Sequence, residues 1–212
     1  MDLTDAPGAA ELPEPRLPAG EGYPCVGAGS TTVAAAPEAI WAIVMDESRL
    51  ATVVPGAGSL HRVADPADHT FAERIEDQAY AADVVMGVGP LKATYLVEVA
   101  LKERTEPRFI RLEGGAKGPF GNSAGEGYVR FTPVAEGTRV DYRYAVLITG
   151  RVATLGGRLV DGLARNLIDR FFHLLSADAL AAAEPPDDAP DGARRRGKGG
   201  LWGRLSGALS GG

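Results

Sequence analysis

Residues 139–183 read RVDYRYAVLITGRVATLGGRLVDGLARNLIDRFFHLLSADALAAA, and the apolar period changes within them at Gly150. Before it, Val140, Tyr142, Tyr144, Val146 and Ile148 alternate with Arg139, Asp141, Arg143, Ala145 and Leu147, the pattern of a strand with one buried face. After it, Leu155, Leu159, Leu163, Leu167, Phe171 and Leu175 recur at i, i+4, with Val160, Ile168 and Phe172 widening the stripe. Arg158, Asp161, Arg165, Asp169 and Arg170 lie off it. This spacing predicts a long amphipathic helix that ends near Ala183, before Pro185-Pro186.

Working back from that junction, the period of two persists to about residue 59. Leu91, Ala93, Tyr95, Val97, Val99 and Leu101 alternate with mostly polar neighbours, and Phe109–Glu113 and Gly127–Thr132 are shorter examples. Glu106-Pro107, Gly118-Pro119 and Glu136-Gly137 supply the turns. Upstream, Ser30–Val33 reads as a first strand. Pro37 and Glu38 open a helix through Val44, because proline is pre-set for the first helical turn and an acid suits its positive end. Asp46 is placed to cap a second helix over Glu47–Val53, which Val54-Pro55-Gly56 stops. The order is one strand, two short helices, about six strands and one long helix. Short turns between neighbouring strands imply an α+β fold, with a curved antiparallel sheet wrapped around the terminal helix. Such a bend leaves a cavity between sheet and helix.

The 212 residues fit one domain with tails. Residues 1–25 are rich in Pro, Gly, Ala and Glu and read as a disordered extension, or one laid loosely on the domain. Residues 26–184 form the folded domain, residues 185–200 a linker, and residues 201–212 an amphipathic tail. The net charge is −6, yet residues 193–212 contain five basic residues and no acid, so the remainder carries −11. An acidic body with a basic tail argues against nucleic acid and for an anionic surface as partner. Arg194, Arg195, Arg196, Lys198 and Arg204 supply the charge, and Leu201, Trp202, Leu205 and Leu209 supply apolar anchors at helical spacing. No apolar run reaches the roughly 18–20 residues that span a bilayer, and the N-terminus has neither a basic nor an apolar leader region. These features point to a cytoplasmic protein, peripheral on the inner face of the membrane.

A single cysteine, Cys25, leaves no intramolecular disulfide or multi-cysteine metal site. His61, His69 and His173 lack ligand spacing, so no metal is expected. The glycines at 114, 115, 118, 121, 125 and 127 precede no Gly-Lys-Ser/Thr and read as bends in a curved sheet. Asp161 and Asp169 read as helical ion-pair partners of nearby arginines. Arg151, Arg158 and Arg165 read as one solvated helical face. No catalytic constellation is visible.

Several segments in order resemble the CoxG family of carbon monoxide dehydrogenase accessory proteins, a branch of the START-like helix-grip superfamily. They are Pro37-Glu38-Ala39-Ile40-Trp41, Val54-Pro55-Gly56, Gly87 to Tyr95, the glycines of residues 114–127, and Gly150 to Phe172. The resemblance covers about residues 28–180, and residues 1–25 are additional to the family pattern. It implies a non-catalytic adaptor that binds a quinone, menaquinone or ubiquinone, or another hydrophobic small molecule. It also implies that the adaptor couples a molybdenum hydroxylase of the carbon monoxide dehydrogenase type to the membrane quinone pool. The rival reading is a cyclase- or dehydratase-like enzyme acting on a small apolar substrate. Candidate wall residues are Leu155, Leu159, Leu163 and Leu167 on the helix, Tyr95, Val97, Leu112, Tyr128, Tyr142 and Tyr144 on the sheet, and Phe120 near the mouth.

Basic residues at an anionic leaflet contribute about 1 kcal/mol each. The full chain is therefore expected to co-sediment with anionic vesicles in a salt-sensitive way, and a chain truncated after Ala193 to stay in the supernatant. Equal pelleting of both would remove the tail from the account.

Overall fold

The computed structural model describes residues 11–63, 78–88 and 91–183. In chain order these form β1 (Tyr23–Val33), α1 (Pro37–Met45), α2 (Glu47–Val53), β2 (Ala57–Arg62), β3 (Ala79–Val88), β4 (Leu91–Thr105), β5 (Phe109–Gly118), β6 (Gly121–Val134), β7 (Gly137–Ile148), a 3-10 turn (Arg151–Leu155) and α3 (Gly157–Ala183). Pro37 stands in the first turn of α1, and the Asp46 carboxylate accepts the Arg49 N–H at 2.9 Å to cap α2. The helices thus begin where the local signals place them.

The strands form one antiparallel sheet in the order β1-β7-β6-β5-β4-β3-β2, so the first strand closes against the last. Register sets which side chains share a face. Val140, Tyr142, Tyr144 and Val146 lie opposite Phe131, Val129, Gly127 and Gly125, and all belong to the concave side. Gly125 pairs with Gly114 in the middle of the β5–β6 hairpin. A Cβ on Gly125 would come within 2.8 Å of the Val146 Cα, so glycine here lets the backbones approach as the sheet coils. The glycine stretch therefore lies within two strands longer than their apolar alternation alone indicates.

The helix-grip fold is as expected: α3 lies along the concave face of the bent sheet. The core fills the end of the sheet that α1 and α2 cover. There Ile40, Ile43, Val33 and Val140 are buried with Leu175 and Ala179 of α3, and Trp41 meets Phe131 edge-on at 6.2 Å. Arg49 of α2 reaches Asp178 of α3 at 2.6 Å on the rim of this packing.

Three expectations need correction. A strict i, i+4 repeat advances about 40° per step, because a helix turns about 100° per residue. The six-residue stripe therefore drifts around α3: Leu175 is buried, Leu159 is 47% exposed, and Val160 takes the inward place at 2%. Residues 11–25 are also not a free extension. Leu12 is 3% exposed, Arg143 donates to its carbonyl at 3.1 Å, Arg130 reaches the Glu11 carboxylate at 3.1 Å, and β1 already begins at Tyr23. These contacts join residues more than a hundred positions apart, which composition does not register. Finally, Arg151 lies in the 3-10 turn, separated from α3 by Gly156 at φ 91°, and so does not share a helical face with Arg158 and Arg165.

Leu175 is 1% exposed and holds α3 on the core. Leu175→Ala is expected to cost about 2–5 kcal/mol in urea unfolding followed by circular dichroism. A loss below about 1 kcal/mol would contradict this packing.

Candidate functional site

Toward the opposite end of the sheet, α3 and the concave face separate around a cavity of about 580 Å³. Tyr95, Val97, Leu112, Phe120, Tyr142, Tyr144, Leu155, Leu163 and Leu167 line it, together with Met86, Val146, Ile148 and Val152. Phe120 sits in the β5–β6 turn, where its carbonyl accepts the Val152 N–H at 2.9 Å and the Arg151 guanidinium lies 5.7 Å from its ring centre. That turn and the 3-10 turn form one rim of the cavity.

Two of the sequence candidates are placed differently. Leu159 faces outward, as described. Tyr128 is a wall residue through its strand, but pairing with Arg111 and Arg143 turns its ring to the convex face. There it lies 6.1 Å from Phe109, and its hydroxyl is held up in pKa by burial first and then by Glu126. A run of alternating residues does not state which parity faces inward; the register with Tyr142 does. The tail residues Arg194, Arg195, Arg196, Lys198, Leu201, Trp202, Arg204, Leu205 and Leu209 lie outside the described residues, as does His69.

The three inward tyrosines are positioned by glycines. Tyr144 lies against Gly27 and Tyr142 against Gly29, their pairing partners on β1; a Cβ on Gly27 would stand 2.5 Å from the Tyr144 hydroxyl. Tyr95 packs in the same way on Gly118. The recurrence Cys25-x-Gly27-x-Gly29 against Tyr142-x-Tyr144 was a usable sequence signal, but only once β1 and β7 are known to pair.

At the seam between β1 and α3 lies a polar group that no single stretch of sequence assembles. Tyr23 donates to the Asp161 carboxylate at 3.0 Å. Cys25, 2% exposed, lies within hydrogen-bonding reach of Asp161 and Tyr144. Asp161 is thus more than a helical ion-pair partner. Burial, then the nearby Asp161 charge, pushes the Cys25 thiol up to about 11. Burial chiefly pushes the Tyr144 phenol up to about 12, and it also raises Tyr142 and Tyr95. All four therefore stay protonated at neutral pH. They can donate hydrogen bonds to an oxygen in the cavity, and the thiol is a poor nucleophile. Among the described residues, no three His, Cys, Asp or Glu side chains gather to hold a metal ion.

A bent antiparallel sheet gripping one long helix over a largely apolar cavity defines a START-like ligand-binding domain. The family model for CoxG, an accessory subunit of carbon monoxide dehydrogenase, matches residues 29–180, and the chain belongs to that family. Among solved structures, a conserved protein from Geobacillus kaustophilus is 26% identical with a TM-score of 0.64, over 74% of this chain and 96% of that one. A START superfamily protein from Mycobacterium smegmatis is 15% identical with a TM-score of 0.54, over 74% of this chain and 98% of that one. The Zhui aromatase/cyclase from Streptomyces sp. R1128 is 13% identical with a TM-score of 0.52, over 79% of this chain and all of that one. The last two likenesses concern the fold. No curated protein matches the chain significantly.

Raising a thiol pKa from 9.0 to about 11 lowers its thiolate fraction near pH 8 by about a hundredfold. A thiol-specific disulfide reagent is therefore expected to label native Cys25 at least a hundred times more slowly than the urea-unfolded chain. Linkage adds a pH effect. The unfolded thiol ionises near 9 and the folded one near 11, so this contribution to stability is intact below pH 9 and is lost as pH rises toward 11. Cys25→Ser should flatten that alkaline limb of the stability curve.

Proposed function

We propose that this chain is a non-catalytic, membrane-associated adaptor that carries a quinone-like lipid in its cavity. It would couple a molybdenum hydroxylase of the carbon monoxide dehydrogenase type to the quinone pool at the cytoplasmic face of the membrane. The observation that carries the reading is the cavity: about 580 Å³, walled mostly by hydrocarbon, with phenols that keep their protons. A quinone needs a flat apolar slot and donors for its carbonyl oxygens. Tyr142 and Tyr144 stand side by side on β7 with their hydroxyls at the β1 edge. The family match supports the partner class, and the basic tail supports the membrane. No helix among the described residues is long and apolar enough to cross a bilayer, which agrees with attachment through such a tail.

The second reading, a cyclase- or dehydratase-like enzyme, rests on Tyr23, Cys25, Tyr144 and Asp161. That set offers three protonated groups and one carboxylate, which already accepts from Tyr23. Proton donors without a free base suit holding an oxygen better than general acid–base turnover.

Solvent extraction of purified full-length protein followed by mass spectrometry is expected to yield an isoprenoid quinone. Recovery of no lipid from protein purified under mild conditions would overturn the proposal. Tyr144→Phe should weaken quinone binding by about 2- to 10-fold, the range for one neutral hydrogen bond, as read by equilibrium titration with the folded state checked by circular dichroism.

A further inference from the structure

A second cavity of about 260 Å³ lies deeper, between β2, β3, β4, α2 and the last turns of α3. Its wall includes Leu50, Val54, Leu60, Ala82, Leu101 and Leu175. The polar side chain in the wall is Tyr80, whose hydroxyl is already engaged: it donates to the Met45 carbonyl at 3.1 Å and accepts from the Gln78 amide. A ligand oxygen would find no partner there, and neither would water. Even apolar voids of about 150 Å³ stay dry. An unfilled void also destabilises a fold in proportion to its volume. Hydrocarbon is the matter that fits.

The two cavities share part of their walls. Val97, Val99, Leu112 and Val129 run as one continuous floor on the sheet, and Phe171 and Phe172 border both spaces from α3. These rings touch each other edge-on at 5.4 Å, and Phe172 meets Tyr142 at 5.5 Å. The division between the chambers is therefore two side chains on one helix rather than backbone, and rotation about their side-chain bonds would join them.

We infer that the deep chamber receives the hydrocarbon tail of the ligand whose polar head sits beside Tyr142 and Tyr144, so that the site selects a long-chain amphiphile over its short-chain homologues. This rests on the proposed lipid-carrying role and specifies the ligand's shape. The occupant is an unbranched or isoprenoid chain entering past Phe171 and Phe172.

The test uses the full chain and two probe series, 2-methyl-1,4-naphthoquinone with 3-n-alkyl chains from butyl to dodecyl, and 4-n-alkylphenols of the same lengths. Affinity is expected to rise by roughly fourfold for each methylene that leaves water. That rise should continue to longer chains in the native protein than in Ala82→Phe, which fills the deep chamber. Val54→Phe, at the end of α2, provides a second filling variant if the first does not fold. The length at which the gain levels off is the readout. Identical slopes in native protein and both folded variants would place the tail elsewhere and overturn the inference. Length selectivity with alkylphenols alone would sink the quinone and keep the deep chamber. Failure of both series to bind would overturn both.

Discussion

The last turns of α3 are clamped, while its first turns are not. Leu175 and Ala179 are sealed into the core with Ile40, Ile43 and Val140, whereas Val160, Leu163, Leu167 and Ile168 have cavity beneath them. Near its start the helix is tied to β1 by the Tyr23–Asp161 hydrogen bond and by Val160. One helix cannot fill the whole trough of a seven-stranded bent sheet at native packing density. Where α1 and α2 add their side chains the trough closes, and where they do not it stays open. The division into a stabilising end and a receiving end follows from that shortage of covering structure.

Glycine determines the shape of the open end. The Gly114–Gly125 pair lets β5 and β6 coil, and Gly27 and Gly29 let two tyrosines lie across β1. The rings then line the cavity with their hydroxyls close to Cys25 and Asp161. Burial holds these groups in their protonated forms, so the polar edge of the cavity works by donating hydrogen bonds. The convex face has a separate task. Arg130 and Arg143 hold residues 11–14 there, which gives part of the additional N-terminal segment a fixed place on the domain.

Most of the architecture was legible because the signals are local. Pro37 and Asp46 mark helix starts through backbone geometry at single residues, and the alternation at 140–148 marks a strand by its own period. Most of the proposed wall residues were legible for the same reason, since an apolar face along a strand or helix is visible in one segment. Tyr128 and Leu159 were not. Parity in β6 depends on its register with β7, and the inward line of α3 follows 3.6 residues per turn rather than a strict repeat of four.

The sequence by itself determined the order of elements, the curled sheet closed by a terminal helix, and the uneven charge of body and tail. Each follows from short-range periodicity, turn chemistry or composition. Only the tertiary structure decided that Tyr23, Cys25, Tyr144 and Asp161 meet, that Leu12 is buried, and that a second chamber lies behind Phe171 and Phe172. Those contacts join residues far apart in the chain, and a void is the space that packing leaves over. No single segment carries that information, because it arises only when several faces are brought together.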